Sequence, residues 1–470
     1  KPQNEDLKCF LRRKRKFMQN DMTKGSPLRL IIFFTIPVLL GNIFQNVYNL
    51  MDSVIVGRFL GVNALAAVGT TGTLAFVVFG WITGMTGGFG ILLAQSFGAG
   101  DEKRLRHYTV MSLYLCIIMA VLMTGGLLLA NRGILKLMNT PDTIIDDTAG
   151  YIGIIYAGLP VTIAYNMLSA VSRSLGDSRT PLIFLILSSV LNVILDILLI
   201  AVIPLGVRGA AYATVIAQAV SVVSCFFYIK KKYDILKIRK EEWGFSAASA
   251  GRMMMMGVPM ALQFSITGIG TVMVQAAVNL LGATYIAAFS ASGKICNIVT
   301  QAFPSIGITL ATYVGQNMGA GEIRRIRQGV KITQIITIIV GVVCGLAVFF
   351  WGGAASRLFV ADPTGEIRTI CNEYFHATAW CYPFLGSIFI YRNTLQGMGD
   401  GLVPMVGGIF ELLARGIMVT VLAGPLGFLG ICLCDPGAWL AALIPLVPVY
   451  IIRMKKIAKI YTPARSAGGS

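Results

Sequence analysis

The feature that most restricts the fold of this chain is a series of long apolar runs, which recur from residue 29 to residue 452. A helix of about 20 apolar residues crosses a hydrocarbon layer of about 30 Å. Backbone N–H and C=O groups find no water in that layer, so each run has to satisfy them within its own helix. We place twelve helices, at 29–56, 64–93, 108–130, 144–170, 181–203, 209–230, 252–278, 285–314, 329–353, 368–396, 403–424 and 428–452. The chain is therefore predicted to be an all-α integral membrane protein, in agreement with its 56% of hydrophobic and 13% of charged residues.

The chain is also internally duplicated. The stretch Gln95–Arg104 returns in altered form as Gln316–Arg325, which lies 221 positions later. Further matches lie at nearly the same offset: Leu60-Gly61 with Leu281-Gly282, and, at an offset of 223, Gly176-Asp177 with Gly399-Asp400. Twelve helices in a duplicated chain imply two pseudo-symmetric six-helix lobes that face each other, with a pathway between them. The predicted division is a cytoplasmic N-terminal segment (1–24), an N-terminal lobe (25–230), a cytoplasmic inter-lobe linker (231–250), a C-terminal lobe (251–455) and a tail (456–470) whose last five residues resemble an artificial linker.

The net charge of +18 is distributed unevenly, and this distribution predicts the topology. Most of the 39 Lys and Arg residues fall in the N-terminal segment, in the tail or in alternate connections, and we place Arg392 in one of those connections. The opposite side holds only a few: Arg58, Arg132, Lys136, Arg208, Arg357 and Arg368. By the positive-inside rule both termini lie in the cytoplasm and the protein spans the cell's inner membrane. Since topology explains the charge, we expect no nucleic-acid partner, and the basic run Arg12–Lys16 either contacts anionic lipid or simply precedes the first span.

A carboxylate inside the hydrocarbon layer is costly, so it normally faces a protein interior or an aqueous cavity. Asp52 lies near the outer end of the first predicted helix. It ends a polar stripe whose other members precede it by three, seven and ten positions: Asn49, Gln45 and Asn42. We expect this stripe to face inward with Tyr48 beside it, and Pro37 to permit a bend one turn before it.

The fifth predicted helix carries a second such stripe. Ser188, Asn192 and Asp196 are four residues apart and therefore share a face. Two intramembrane carboxyl groups accompanied by neutral amides suit a proton or a small hard cation such as Na⁺. The two histidines of the chain, His107 and His376, lie near membrane boundaries, so proton handling would rest on the carboxyl groups. The alternative is that the two acids only bridge helices.

The second half does not repeat these acids. At the offsets of the duplication Asp52 corresponds to Met273 or Val274, and Asn192 corresponds to Arg415. The polar residues that this half offers within its helices include Gln263, Thr267, Lys294, Glu411 and Arg415. Glu411 and Arg415 are four apart on one helix and are expected to satisfy each other, either as a structural ion pair with Lys294 nearby or as part of a substrate pathway.

Three glycines spaced four apart, Gly80, Gly84 and Gly88, form a small-residue face on the second predicted helix. Such a face lets a neighbouring helix approach closely. We therefore predict helix packing here rather than a ligand site.

These motifs in combination resemble the multidrug and toxic compound extrusion (MATE) family. The residues that carry the resemblance are Ile36-Pro37, Tyr48–Gly57, the paired Gly-Ala-Gly loops, Arg173–Pro181 and Gly206–Thr214, and the similarity extends over about residues 25–455. The resemblance implies a transporter and not an enzyme: a twelve-helix antiporter without a cofactor, which exports organic, often cationic, compounds in exchange for H⁺ or Na⁺ by alternating access. It further implies small organic cations as substrates, while a monomer surrounded by membrane lipids is the default expectation.

The resemblance also assigns residues. By motif match, the site for the proton or for Na⁺ would consist of Asp52, Asn166, Asn192, Asp196 and Thr214, and Pro37 would be the hinge of the first helix. We assign to the substrate pathway the polar residues Asn42, Gln45, Tyr48, Asn49, Ser188, Gln263, Thr267, Lys294 and Glu411. The sequence does not choose between H⁺ and Na⁺ and does not identify the substrate.

Two other functions were weighed against export. A lipid-linked oligosaccharide flippase of related architecture would be expected to carry a strongly cationic cavity, whereas only Lys294 and Arg415 are cationic within the predicted helices. A receptor or sensor would need a signalling domain, for which the cytoplasmic connections are too short.

Overall fold

The computed structural model describes residues 21–138, 140–360 and 365–461, and within these ranges all regular secondary structure is helical. The first half contains α1 (Pro27–Leu60), α2 (Val62–Thr70), α3 (Gly72–Gly98), α4 (Glu102–Leu137), α5 (Ile145–Ala157), α6 (Leu159–Ser174), α7 (Arg179–Asp196) and α8 (Val207–Lys232). The second half contains α9 (Ala247–Asn279), α10 (Ala283–Thr300), α11 (Ala302–Gly319), α12 (Ile323–Ala355), α13 (Glu366–Thr378), α14 (Tyr382–Gly397), α15 (Leu402–Leu426), α16 (Phe428–Cys432) and α17 (Cys434–Tyr461). The basic run Arg12–Lys16 and the end of the tail lie outside the described residues.

The number of spans agrees with the sequence. Within the described ranges ten helical segments are long and apolar enough to cross a membrane, and the bent pair of α5 and α6 adds an eleventh. The remaining predicted span, 368–396, coincides with α13 and α14, which take the place of α5 and α6 in the second half. The fold is therefore the predicted one, an all-α membrane protein with six spans in each of two lobes.

Four of the predicted continuous spans are interrupted, at equivalent places in the two halves. The second span divides between α2 and α3, and the eighth divides between α10 and α11. The fourth bends by 46° between α5 and α6. Its counterpart in the second half is broken by a short 3₁₀ turn, Ala379–Cys381. In both of these spans a proline, Pro160 or Pro383, lies in the first turn after the break, where its missing N–H is tolerated and where a new helix begins.

The duplication is also visible in the backbone. The last glycine of each Gly-Ala-Gly turn has a left-handed conformation, with φ of 70° at Gly100 and 71° at Gly321. Side chains of L-residues rarely adopt this conformation, which explains why both copies of the motif end in glycine. We call the end of the bundle that carries these two turns, residues 98–104 and 319–325, the basic end, because Lys103 and Arg324 are exposed there.

The repeated Gly-Asp pairs have equivalent partners as well. The Asp177 carboxylate accepts from Nζ of Lys232 at 2.6 Å, and the Asp400 carboxylate accepts from Nη2 of Arg453 at 2.9 Å. In each half this ion pair joins the end of the fourth span to the end of the sixth, so it closes the lobe on itself at the basic end.

The two lobes contact each other mainly through α3, which packs against α9 and α11. The small-residue face predicted on α3 lies in this interface. A methyl group on Gly84 would lie 2.5 Å from the backbone of Ala261, and one on Gly88 would lie 2.6 Å from Cα of Gly257. The prediction of close helix packing is confirmed, and it applies to the contact between the lobes.

Candidate functional site

The two acids predicted from the first half lie together. Asp52 on α1 and Asp196 at the end of α7 are both buried, and their carboxyl groups lie close enough to interact with each other. Immediately after Asp196 the chain widens into a π-helical segment, Ile197–Val202, a rare geometry that is often found at functional sites. Two carboxyl groups in contact can share a proton, whereas two ionised carboxylates would repel each other.

Three polar side chains surround the acid pair. With its amide oriented so that both ends have partners, Asn192 donates from Nδ2 to Oδ2 of Asp196 at 2.8 Å and accepts at Oδ1 from the backbone N–H of Thr214 at 3.2 Å. The hydroxyls of Tyr48 and Thr214 are 3.2 Å apart. Helices α1, α7 and α8 thus each contribute oxygen atoms to one buried cluster, which we call the acid site (Tyr48, Asp52, Asn192, Asp196 and Thr214).

The acid site is incompletely satisfied. Oδ1 of Asp52 and Oδ1 of Asp196 are buried and have no hydrogen-bond partner within the described part of the chain. Neither acid has a Lys, Arg or His nitrogen within 4.0 Å among the described residues. Carboxylate, amide and hydroxyl oxygens are the ligands of a hard cation, so this donor set fits Na⁺ as well as a shared proton.

One residue near the acid site was not predicted from the sequence. Tyr151 on α5 is buried and lies close enough to Asp52, Asp196 and Tyr48 to interact with them electrostatically. An aromatic residue in an apolar run carries no periodic polar signal, and this explains why the pattern analysis missed it.

Two other predicted site residues of the first half, Asn166 and Ser188, have different surroundings from the five residues of the acid site. Asn166 on α6 donates from Nδ2 to the carbonyl oxygen of Thr162 at 2.9 Å, so its amide bonds to its own helix. Ser188 is buried on α7, one turn before Asn192 and on the same face as Asp196, as predicted.

The polar stripe of α1 does not face inward along its whole length. Only Asp52 is fully buried, whereas Asn49 is exposed and accepts from Nε2 of Gln45 at 3.3 Å. Asn42 reaches the other lobe, where its Nδ2 donates to Oγ of Ser305 at 2.9 Å. The expectation of one inward stripe is therefore wrong for Asn49, because α1 lies between the two lobes and different parts of one face meet different surroundings. Pro37 is buried within α1, which continues past it.

In the second half, Gln263 and Thr267 make local contacts. Oε1 of Gln263 accepts from Nε2 of Gln396 at 3.2 Å. The Thr267 hydroxyl donates to the backbone carbonyl of Gln263 at 3.0 Å, so it is satisfied within α9.

Four charged side chains, three of them buried and one half-buried, form an ion network in the same half. Glu411 accepts from Nη2 of Arg392 at 3.1 Å and from Nη2 of Arg415 at 2.9 Å, and Nε of Arg415 also donates to Asp435 at 2.9 Å. The predicted pairing of Glu411 with Arg415 is confirmed. The placement of Arg392 in a connection was wrong, because α14 continues to Gly397 and buries this arginine against Glu411.

The expectation that Lys294 lies near this ion pair is not met. Lys294 is exposed on α10, and its ammonium group lies 5.7 Å from the centroid of the Phe359 ring. Of Arg392, Arg415 and Lys294, the two arginines are thus neutralised by acids.

Comparison with known proteins agrees with this architecture. The family model of MatE matches residues 37–198 and 259–432. The probable multidrug resistance protein YoeA of Bacillus subtilis is 27% identical over 444 residues, which cover 92% of this chain and 96% of that protein. The probable multidrug resistance protein YpnP of the same organism is 29% identical over 388 residues, covering 82% and 86%. A multidrug resistance MATE family transporter solved in an outward-facing conformation has the same fold, with a TM-score of 0.86 at 20% identity over 94% of this chain and 99% of that one.

Proposed function

Because the chain belongs to the MatE family, whose model matches most of its length, we propose that it is a secondary active antiporter that exports organic, often cationic, compounds in exchange for H⁺ or Na⁺. As a member of this family it is a multi-pass membrane transporter and not an enzyme. The proposed substrates are small organic molecules, since relatives such as YoeA and YpnP are named as probable multidrug resistance proteins. We further propose that a single chain, surrounded by lipid, is the working unit.

The observation that carries this proposal is a contrast among the buried acids of the described chain. Asp177, Glu242 and Glu411 each have a lysine or arginine partner within 3.1 Å. Asp52 and Asp196 have only each other and neutral oxygen or nitrogen groups. A buried acid pair without a fixed cation is an arrangement in which an exchangeable positive charge is strongly favoured.

The proposed cycle uses this exchange. With the acid site ionised, the lobe attracts a cationic guest, and entry of a proton or Na⁺ from outside neutralises Asp52 and Asp196 and weakens that attraction. A ligand shifts a conformational equilibrium only by its difference in affinity for the two states. The site lies on α1, which packs both on α7 in its own lobe and on α11 in the other lobe, so a change of charge there acts on the contact between the lobes. Asn166 and Pro37 belong to the proposal as a nearby amide and as the hinge of α1.

We also propose an orientation. The basic end carries most of the positive charge of the connections. By the positive-inside rule this end and both termini then lie in the cytoplasm, and we propose that the protein lies in the inner membrane. The lobes are in close contact towards this end, so the described conformation corresponds to one that is closed to the cytoplasm.

Dye efflux from proteoliposomes tests the proposal. A fluorescent organic cation is followed under an imposed pH gradient and, separately, under an imposed sodium gradient. We expect one of the two gradients to drive transport, and Asp52→Asn and Asp196→Asn each to abolish it while the protein stays folded.

The matched control is Asp146→Asn, which removes an exposed acid whose pairing with Arg132 involves side chains that are 74% and 76% exposed. This variant should transport normally. Retained efflux in well-folded Asp52→Asn or Asp196→Asn would rule out the acid site as the coupling site, and no efflux under either gradient would rule out the antiport.

The flippase alternative is not favoured by the ion network. A pyrophosphate headgroup needs unpaired cations, but Arg392 and Arg415 are already paired with Glu411 and Asp435. Growth of a drug-sensitive bacterium on cationic dyes would separate the two functions, since only an exporter confers resistance.

A further inference from the structure

The two glutamines that begin the duplicated motif each donate a side-chain hydrogen bond to the opposite lobe. Nε2 of Gln95, in the first half, donates to the carbonyl oxygen of Gly397 in the second half at 3.0 Å. Nε2 of Gln316, in the second half, donates to the carbonyl oxygen of Ser174 in the first half at 2.8 Å. Both acceptors are the last residue of a helix, α14 or α6, where carbonyl groups lack a partner within the helix. The two bonds are therefore equivalent under the duplication.

The glycines three positions after each glutamine make this crossing possible. A Cβ atom on Gly98 would overlap the backbone carbonyl oxygen of Gln316, and a Cβ atom on Gly319 would overlap that of Gln95. Each glycine thus faces the backbone of the opposite glutamine. The spacing Gln-x-x-Gly is explained by this reciprocal contact, which closes the interface at the basic end.

Gln316 has a second bond that ties in the segment before α1. Its Oε1 accepts from the backbone N–H of Met22 at 2.9 Å, and Gln316 itself is completely buried. Nη2 of Arg325 also donates to the Met22 carbonyl oxygen at 3.1 Å, and Nη1 of Arg325 donates to that of Gly25 at 2.8 Å. The chain that leads into α1 of the first lobe is therefore held by the second lobe.

We propose that Gln95 and Gln316 are gating residues: together with Gly98 and Gly319 they form a two-sided latch that holds the lobes closed at the basic end and releases in each transport cycle. The proposal rests on the proposed function for its role in transport, but not for the closed contact itself. Amide–carbonyl bonds suit a latch because water replaces them when the interface opens, so each adds only a modest bias to the closed state. An apolar seam of similar extent would resist hydration throughout opening.

Hydrogen–deuterium exchange of the purified full-length protein tests the latch without any transport assay. In Gln316→Leu, which loses both side-chain bonds of Gln316, we expect the amides of residues 21–25 and 92–98 to exchange at least about tenfold faster, since one lost hydrogen bond alone shifts the opening equilibrium by about that factor. Gln95→Leu should accelerate exchange in 92–98 and 313–319. Gly319→Ala should do the same although both glutamines remain.

Two control variants separate the latch from general destabilisation. Gln334→Leu removes an amide that donates to Oγ of Ser387 at 2.7 Å within the second lobe, and Gly126→Ala adds a methyl group where no atom lies within 4 Å. Neither should change exchange in these segments. Unchanged exchange in both glutamine variants, or equal acceleration in Gln334→Leu, would overturn the latch.

Dye efflux measured on the same variants completes the test. We expect Gln95→Leu and Gln316→Leu to slow efflux more than Gln334→Leu does. Accelerated exchange with wild-type efflux rates would overturn the gating role. If the wild-type protein exports no dye but the variants show the expected exchange pattern, the proposed function is refuted. The closed contact would then belong to a different conformational cycle.

Discussion

Replacing Arg415 by methionine should destabilise the protein by about 3–5 kcal/mol, because the change removes a buried cation that the buried Glu411 shares with the half-buried Asp435. The side chain of Arg415 is only 6% exposed, and it bridges Glu411 and Asp435 with two bonds of 2.9 Å. Methionine retains about the length of the apolar part of the arginine side chain and removes the charged guanidinium group. Glu411, whose side chain is 7% exposed, would then depend on Arg392 alone. For a lobe of about 200 residues this loss corresponds to a fall of roughly 10 °C in Tm.

The assay is thermal unfolding of the purified protein in detergent, with Arg132→Met as the matched control. Arg132 donates to Asp146 at 2.7 Å, a shorter bond than either one of Arg415, but both side chains are largely exposed. Solvent screening limits the contribution of such a pair to about 0–1 kcal/mol. The comparison therefore separates burial from bond length.

A second variant tests the same network without removing the arginine. A Cβ atom on Gly270 would lie 2.8 Å from Nη1 of Arg415, so Gly270→Ala should displace the guanidinium group and reproduce part of the loss. If Arg415→Met lowers Tm no more than Arg132→Met does, the network is not a stabilising element and the reasoning from burial is refuted.

Three further predictions concern other parts of the chain. Thr214→Val removes the hydroxyl beside Tyr48 and should weaken the affinity for the coupling ion about tenfold, as measured from the ion dependence of dye efflux. Asp177→Asn should lose about 2 kcal/mol at pH 7 in an unfolding experiment, because its bond to Lys232 is charge-assisted. Burial alone would raise the pKa of Asp177, but hydrogen bonds from Lys232, Thr180 and Tyr233 outweigh burial and lower the pKa. The stabilisation by Asp177 is therefore fully present above the unfolded pKa of about 3.9, and it is lost as the pH falls through the folded pKa. Glu242→Gln weakens the bifurcated bond that Nε of Arg106 donates to both carboxylate oxygens of Glu242, at 2.8 and 2.9 Å, and should make protease cleavage of the inter-lobe linker about tenfold faster.

Local periodicity predicted what depends on a single helix. Ser188, Asn192 and Asp196 lie on one buried face of α7, as a spacing of four requires. The meeting of Asp196 with Asp52 depends instead on the packing of α1 against α7, between residues 144 positions apart. Spacing alone did not predict that contact, and the family resemblance was needed to place both acids in one site.

Charge proved a poorer guide to span boundaries. Arg392 was counted with the charges of a connection, although it lies within the predicted span 368–396, where an isolated arginine is costly. In the structure the cost is offset by Glu411, which lies 19 positions away on the neighbouring helix α15. A sequence pattern cannot show the pairing of Arg392 with Glu411, because tertiary packing determines which acid lies next to the arginine. For Asn166, which the resemblance assigns to the site for the proton or Na⁺, the structure shows a bond from Nδ2 to its own helix, and its membership of that site stays a prediction.

The two lobes share a fold but differ in the source of the positive charge that neutralises their buried intramembrane acids. At the offset of 223, Ser188 corresponds to Glu411, Asn192 corresponds to Arg415, and Ser169 corresponds to Arg392. The positions that form the ion network of the second half therefore hold neutral side chains in the first half, where the acids come instead from Asp52 and Asp196. In the second half the buried acids are neutralised by arginines of the chain itself. No described side chain takes that role for Asp52 and Asp196, so under the proposed function the neutralising charge comes from the solution. Under the proposed function, this difference confines the exchangeable charge to one lobe of a duplicated fold. We therefore expect Arg415→Met to destabilise the protein and Asp52→Asn to stop transport.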